Sequence, residues 1–272
     1  MITYRINTIR RFIIYSLLFP CLFIGQIFSQ TYKLTKQSDF GLAAGIIGLG
    51  NIDIHLNNNL ESLTANQIMM LDRDDIWKID RFATSLRSIQ TDKWSDYTKY
   101  AAYALPTILL MREETRQDLP IVGVMLVEVF GLNAAITTFT KTIVKRNRPF
   151  TYNEDVGIID KQVRSARKSF VSGHTSDAAA LGFFTAKVFS DLHPHSKWKS
   201  VVWAVGAGLP IVVGGLRIGA GKHFLTDVLS GYGMGALIGY MIPHIHKRKN
   251  TSRIQVQAGA NGTVRLLLAL DK

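Results

Sequence analysis

Two histidines are the residues of this chain best suited to chemistry, because each precedes an apolar stretch of helical length. His223 is followed four residues later by Asp227. Residues four apart lie on one face of a helix, so the carboxylate can hold one ring nitrogen and leave the other free to attack. His174 is the second, and it can donate a proton to a departing alkoxide, a step worth roughly two to four orders of magnitude in rate. The pair predicts a nucleophile at His223 and a general acid at His174.

Three basic residues at the ends of apolar stretches, Lys141, Arg148 and Arg217, can together neutralise a doubly charged phosphoryl group. Ser172 and Gly173 precede an expected helix, where free backbone N–H groups bind anions and a glycine lets the backbone approach closely. Phosphoryl transfer depends largely on positioning and charge stabilisation. The sequence therefore predicts a phosphate-binding site.

Each of these residues has a commoner structural explanation when it is taken alone. Lys141 or Arg148 resembles a basic side chain extending to water from a helix end, and Ser172-Gly173 resembles a helix cap. A lone His223 on a helix is more often structural. Their joint occurrence in register favours function.

Apolar stretches of helical length must position these side chains, and they lie at 40–56, 97–111, 119–144, 176–189, 201–218 and 224–245. If consecutive helices run antiparallel, the end of the third, the start of the fourth, the end of the fifth and the start of the sixth share one face. That arrangement collects all the candidate residues. We therefore predict an all-α fold, a helical bundle of about six main helices.

Three motifs in chain order carry a family resemblance: Lys141-x6-Arg148-Pro149, Ser172-Gly173-His174 and Arg217-x5-His223-x3-Asp227. In order and spacing they resemble the signature of the type 2 phosphatidic acid phosphatase superfamily. The resemblance implies a phosphohistidine intermediate at His223, proton donation by His174, and no metal or other cofactor. It also implies phosphate binding by Lys141, Arg148, Ser172, Gly173 and Arg217.

Two positions depart from that signature, since Val171 stands where the family usually has proline and Leu216 where it usually has serine. Both departures are local. Without the serine, one possible hydroxyl donor to phosphate is absent, and we expect at most a modest change in affinity.

Residues 1–30 have the layout of a secretory signal peptide, with three arginines ahead of an apolar run at 12–28 and then Ser29 and Gln30. The run approaches the roughly 20 residues of a membrane span, so an uncleaved anchor is the alternative. We predict a leader or anchor at 1–30, a phosphatase-like helical domain at 31–250, and a tail at 251–272. The tail alternates polar and apolar residues on both sides of Asn261-Gly262, which predicts a small C-terminal β-hairpin.

The polar stretch at 60–94 predicts an amphipathic helix after Thr64 as its N-cap. Its aspartates at 72, 74, 75 and 80 suggest calcium only weakly, because Ile76 and Trp77 stand where a calcium loop needs an oxygen ligand and a glycine.

His193 and His195, like His244 and His246, are two apart and point to different helix faces. We interpret them as surface residues with at most adventitious metal binding.

Composition places the chain between soluble and membrane classes, since it is 47% hydrophobic and 19% charged. A formal charge of +12 favours anionic partners, but no nucleic-acid-binding motif is present. The basic cap Lys247-Arg248-Lys249 after the last apolar stretch is expected in the cytoplasm, which places the active face on the exported side. Lys99 and Glu128 interrupt candidate spans, so a soluble periplasmic bundle is the alternative to a membrane-associated one facing the periplasm.

These observations predict a phosphatase of lipid phosphates or diphosphates, with a phosphorylated lipid and the membrane as partners. Two alternatives stay open. One is a non-catalytic protein that binds or transports lipid phosphates, and the other is a vanadate-dependent haloperoxidase, which uses the same oxyanion site. The residues do not identify which phosphate ester is the substrate.

Overall fold

The computed structural model describes residues 31–111, 113–116, 118–248, 253–258 and 264–269. The predicted leader at 1–30 lies outside the described residues. Within them, six helices are long, and we number these: α1 Lys36–Asn58, α2 Ile89–Ala104, α3 Leu119–Val144, α4 Gly173–Leu192, α5 Lys199–Gly219 and α6 Leu225–His246. The connections carry short α-helices at Ala65–Met69, Lys78–Arg81, Glu113–Arg116 and Ile158–Lys161, and 3-10 turns at Arg73–Asp75, Phe82–Ser85, Leu105–Met111, Pro149–Tyr152 and Arg164–Arg167.

Most long helices lie within a few residues of the predicted apolar stretches, and α2 differs most. It begins eight residues before the stretch at 97–111, because Ser88 caps it by accepting a hydrogen bond from the Thr91 N–H at 3.2 Å. Its first two turns are polar, so apolar periodicity did not detect them. The helix gives way to 3-10 geometry beyond Ala104, where Pro106 lacks a backbone N–H.

The prediction of one amphipathic helix at 60–94 is wrong. Thr64 does cap a helix, with reciprocal hydrogen bonds to Gln67, but that helix ends at Met69. Asp72 then accepts a hydrogen bond from the Asp74 N–H at 2.8 Å and starts a separate 3-10 turn. Short acidic side chains that bond to nearby backbone compete with helix continuation, which explains the break.

The core lies between α3, α4 and α6, and α4 is buried along most of its length. Its main cluster joins aliphatic side chains of α3 with Phe184 and Val188 of α4 and with Ile238 and Ile242 of α6. Burial of such side chains contributes roughly 1.5–3 kcal/mol each. This core fixes the starts of α4 and α6 side by side.

Glycines bring α6 against α4. A Cβ at Gly231, Gly235 or Gly239 would lie less than 3.0 Å from a carbonyl oxygen of Ser172, Ser176 or Ala180 respectively. These three glycines are four residues apart and so form one face of α6. The close approach begins at Ser172, which places it at the candidate site.

The predicted fold class needs correction in one respect. Within the residues that the structure describes, the domain is all-helical and no β-hairpin takes part in it, because the helices alone supply the core and the candidate site. The tail residues Arg253–Ala258 and Val264–Ala269 pair antiparallel with each other, with Arg253 opposite Ala269. The alternation of polar and apolar residues in the tail therefore corresponds to a local pairing of the tail with itself, which is not part of the helical domain.

Within the described ranges, two helical segments are long and apolar enough to cross a bilayer, Leu119–Tyr152 and Lys199–Gly219. This statement concerns length and composition, which core helices of soluble proteins also satisfy.

The interpretation of all four paired histidines as surface residues is wrong for His246. That side chain is buried at the end of α6, where it lies 2.6 Å from Glu128.

Candidate active site

The structure brings the predicted helix ends together. At the end of α3, Nζ of Lys141 donates to the carbonyl of Val171, just before α4. At the start of α4, the N–H of Ser172 donates to the carbonyl of Asp227 in the first turn of α6 at 2.9 Å. The segment after Arg148 reaches the same place, since the Phe150 N–H donates to the carbonyl beyond α5 at Gly221. All eight predicted residues therefore lie around one region.

His223 is buried, with 1% of the residue exposed. Its Nδ1 lies 3.7 Å from Oδ2 of Asp227, which is too long for a hydrogen bond, and it has no hydrogen-bond partner among the described residues. Burial, followed by the nearby charges of Lys141 and Arg148, lowers the pKa of His223 well below its usual value. The ring is therefore neutral at pH 7, the form in which an imidazole is a nucleophile.

Asp227 is held by three donors rather than by His223. Its Oδ2 accepts from Oγ of Ser169 at 2.5 Å and from the Phe224 N–H at 2.9 Å, and its Oδ1 accepts from Arg146 at 2.6 Å. Arg146 also bonds to the buried Asp80 at 2.8 Å. The Asp227 carboxylate is thus fixed beside the His223 ring, and a small shift of either side chain would form a hydrogen bond between them.

Arg146 is a functional candidate that the sequence did not single out, and Asp80 was considered there only as a weak calcium ligand. The Arg146 guanidinium lies 4.1 Å from the ring centre of Phe224 and bonds to Thr226 at 2.8 Å. Asp80 accepts from the N–H and the hydroxyl of Thr226 at the start of α6. One available signal was the Lys-Arg-Asn-Arg run, in which a second arginine stands two positions before Arg148. No local pattern indicated that Asp80 would be the partner of Arg146, because the two residues are far apart in the sequence and meet only in the folded chain.

His174 lies at the first turn of α4, and its Nε2 is 2.7 Å from Oδ1 of Asp96 on α2. Burial and the charges of Arg217 and Lys99 lower the pKa of His174 to about 3, against the opposing effect of Asp96. Burial would raise the pKa of Asp96, but the bond and the charge of His174 outweigh it and lower that pKa. Asp96 is therefore the group that favours a protonated His174.

One face of α2 supplies acidic partners to the site. Asp92 accepts from Arg217 at 2.6 Å and lies 3.1 Å from Nζ of Lys222, and Ser95 accepts from Arg217 at 3.0 Å. Asp92, Ser95 and Asp96 are three to four residues apart, which puts them on one side of the helix. This spacing was visible in the sequence, but the polar start of α2 was not recognised as helix.

Two arginines of the candidate site present unpaired Nε donors. Among the described residues, Nε of Arg148 and Nε of Arg217 are buried without a hydrogen-bond partner. A buried donor without a partner costs about 1–3 kcal/mol, so each such group calls for an explanation. An oxyanion between them is an acceptor that satisfies both.

The start of α4 completes the anion site. Ser172 is its N-cap, and the N–H groups of the first turn from Gly173 onward have no acceptor within the helix. A Cβ at Gly173 would contact Lys141 at 3.6 Å, so the lysine stem lies directly against this backbone. The Ser172 hydroxyl lies 2.8 Å from the hydroxyl of Thr175 and so does not cap its own helix.

A polar cavity of about 230 Å³ opens beside the site. Arg148 and Asp92 line it and also belong to the anion site, which connects the two. Its other polar walls include Arg87, Asp160 and Lys222. A polar group attached to the phosphate can therefore occupy the space next to it.

Comparison with known proteins gives a family match. Residues 122–251 match the family model of the PAP2 superfamily. The chain is 26% identical over 140 residues to lipid A 4'-phosphatase of Porphyromonas gingivalis, and 30% identical over 124 residues to phosphatidylglycerophosphatase B of Bacillus subtilis. These regions cover 51% and 44% of this chain and 56% of each relative, so little more than half of each relative's length is matched. The matches confirm the resemblance that the motifs predicted.

A solved structure is also similar. It is titled as the first transmembrane PAP2 type phosphatidylglycerolphosphate phosphatase, from Bacillus subtilis, and it covers 74% of this chain and 96% of its own. The TM-score is 0.46 at 21% sequence identity.

Proposed function

We propose, from the premise that residues 122–251 belong to the PAP2 superfamily, that this chain is a phosphatase of lipid phosphate esters that works through His223 without a metal. One observation supports this most strongly. A neutral, buried His223 shares its surroundings with two arginines whose Nε donors are unpaired among the described residues. A nucleophile next to unsatisfied cationic donors is what phosphoryl transfer requires.

In the first step, Nε2 of His223 attacks phosphorus and the bond to the ester oxygen breaks. The departing alkoxide takes a proton from His174, so that neutral alcohol leaves. Lys141, Arg148, Arg217 and the N–H groups at the start of α4 stabilise the charge on the phosphoryl oxygens. Asp227 stabilises the positive charge that develops on the His223 ring when the phosphorus–nitrogen bond forms.

In the second step, water attacks the phosphohistidine and gives a proton to His174, which is neutral after the first step. The phosphorus–nitrogen bond breaks and its electron pair returns to His223. Inorganic phosphate leaves, and His174 is protonated again for the next cycle. No external acid or base is needed, because the proton that His174 gives to the alcohol in the first step is replaced by the proton that it takes from water in the second.

Substrate entry must raise the pKa of His174. Burial and, after it, the charges of Arg217 and Lys99 oppose the protonation of His174. A phosphate dianion offsets those charges, after which the Asp96 hydrogen bond favours the imidazolium. Binding of the substrate therefore favours the protonated form of His174, in which it can act as the general acid.

Lipid phosphates are the proposed substrates because both named relatives act on them, as their names state. The chain's apolar segments Leu119–Tyr152 and Lys199–Gly219 suit a protein that meets its substrate at a bilayer. The active face lies at the end of α6 opposite Lys247 and Arg248, and the sequence continues this basic run with Lys249. Under the positive-inside rule, this arrangement favours a site that faces the periplasm.

Phosphate release by purified protein in excess chelator tests the proposal. We expect release from a lipid phosphate by the wild type and by His195→Ala, an exposed control, and a loss of at least about 1,000-fold in His223→Ala. Undiminished release by His223→Ala would sink the mechanism. Tight lipid binding without release would favour a binding protein, and vanadate-dependent halide oxidation would favour a haloperoxidase.

A further inference from the structure

A second group of ligating side chains lies at the end of the bundle opposite the candidate active site. Asp39 is in the first turn of α1, Glu128 is in the first half of α3, and His246 is the last residue of α6. His246 follows His223 by 23 positions, which corresponds to about 35 Å along a helix. The group is therefore separate from the phosphate-binding residues.

The three ligand atoms are close enough to share one ion. One atom of each side chain lies within 4.8 Å of the other two. Nε2 of His246 lies 2.6 Å from Oε2 of Glu128 and 3.6 Å from Oδ1 of Asp39. Ligands of a tetrahedral zinc ion at 2.0–2.2 Å are separated by about 3.3 Å, so the observed spacings bracket the required one.

The group is buried and short of positive charge. The exposed fractions of the side chains are 0% for His246, 7% for Glu128 and 16% for Asp39. Among the described residues, His246 is the one basic group within 4.0 Å of either carboxylate. Two largely buried carboxylates that share a single imidazole are costly unless a further charge compensates them.

The ring of His246 faces both carboxylates through Nε2. Its Nδ1 is buried and has no hydrogen-bond partner in the part of the chain that the structure describes. A divalent cation bound to the Nε2 lone pair would balance the charge of the two carboxylates.

Surrounding contacts hold two of the three residues in place. The hydroxyl of Ser38 donates to Oδ1 of Asp39 at 2.9 Å, and the carbonyl of His246 accepts from the Lys33 N–H at 2.9 Å. Hydrogen bonds of this kind orient metal ligands and limit their movement. The ligands come from α1, α3 and α6, so an ion here would tie the first helix of the bundle to the last.

We propose that Asp39, Glu128 and His246 bind one divalent transition-metal ion, with zinc as the ion that fits best. One imidazole nitrogen and two carboxylate oxygens form a zinc-like donor set, with water as the fourth ligand. The ion stabilises the end of the bundle remote from the active site. It takes no part in phosphate hydrolysis.

Equilibrium dialysis of chelator-stripped protein against zinc tests this proposal. We expect one zinc ion per chain and a higher melting temperature in the wild type and in His244→Ala, an exposed histidine two positions away. Asp39→Asn keeps the side-chain shape and a hydrogen-bond acceptor for Ser38, and it should weaken binding by about 100-fold or more. Glu128→Gln is a second ligand variant that preserves volume.

Two results would overturn the proposal. One is a wild type that binds no zinc at micromolar concentrations. The other is equal zinc binding by Asp39→Asn and the wild type while His244→Ala loses it. Displacement of zinc by calcium at equal concentration would overturn the transition-metal assignment, because calcium prefers more oxygen ligands. Phosphate release does not enter these measurements, so they stand or fall independently of the proposed phosphatase activity.

Discussion

At the scale of single residues, the candidate site places arginine N–H donors that lack acceptors around a neutral imidazole. Nε of Arg148 and Nε of Arg217 are unpaired among the described residues, while the pKa of His223 is lowered by burial and by its cationic neighbours. The unpaired donors carry an energetic cost that a bound oxyanion removes. The lowered pKa keeps His223 in its neutral, nucleophilic form.

Asp96 provides a prediction at this scale. In Asp96→Asn the hydrogen bond from His174 loses its charge, so the pKa of His174 falls further and the general acid is protonated over a narrower range. We expect kcat to fall about tenfold at neutral pH, the basic limb of the kcat profile to move to lower pH, and KM to change little. A pH series of initial rates measures this.

The control for Asp96→Asn is Asp155→Asn, which changes an exposed aspartate outside the site. If Asp96→Asn lowers kcat while the basic limb stays in place, its role is structural and the proposed positioning of His174 is wrong.

The motif residues were predictable from the sequence because they lie at helix ends, where apolar patterns begin and stop. Their partners were not. Asp96 and Arg146 contact His174 and Asp227 across 78 and 81 positions. Such long-range pairing depends on how the helices pack, and no local spacing records it.

At the scale of the helices, the close packing of α6 on α4 sets the geometry between the two histidines. The Ser172 N–H bonds to the carbonyl of Asp227, and Gly231 lies against the Ser172 carbonyl. The backbones of the two helices therefore touch where the chemistry takes place. Any side chain inserted between them must move one histidine relative to the other.

Gly235→Ala tests this packing against Gly233→Ala. A Cβ at Gly235 would lie less than 3.0 Å from the Ser176 carbonyl, whereas a Cβ at Gly233 meets nothing within 4 Å. We expect Gly235→Ala to lose about 1–3 kcal/mol of unfolding free energy and most phosphatase activity. Gly233→Ala should be neutral or stabilising by up to about 1 kcal/mol, since alanine favours helix.

Thermal unfolding and phosphate release of the two variants provide the comparison. Equal stability and activity of Gly235→Ala and Gly233→Ala would show that the contact between α4 and α6 does not control the site.

The elements themselves were only partly predictable. The stretch at 119–144 matched α3 at both ends, because its apolar run stops where polar residues start. Apolar periodicity missed the first two turns of α2, which carry Asp92 and Asp96, because a helix that lines a polar site has no apolar face there. The polar residues that α2 contributes to the site therefore hid the apolar pattern by which the helix would have been predicted.

At the scale of the whole molecule, stability should depend on pH through the two buried imidazoles. The pKa values of His223 and His174 are both lowered in the folded chain, the latter to about 3. A group of this kind contributes stability that is present above its unfolded pKa of about 6.5 and is lost as pH falls towards the folded pKa. The phosphate-free protein should therefore become less stable below about pH 6.5.

Between pH 6.5 and 5 we expect His174 to contribute a loss of about 2 kcal/mol and His223 a further loss of the same sign, followed as a fall in the melting temperature without added phosphate. His174→Gln and His223→Gln should each flatten the decline, while His195→Gln, at an exposed position, should not. Saturating inorganic phosphate should also flatten it. A wild-type melting temperature that is constant over this range would show that the imidazoles are not held neutral by the site.

The central claim is that phosphate passes through a covalent bond to His223, and rapid quenching with a ³²P-labelled lipid phosphate tests it most directly. The account predicts one labelled phosphoryl group per active chain, stable in alkali and labile in acid, on the peptide that contains His223 and absent from His223→Ala. Turnover without such a species, or the same label on another residue, would contradict it.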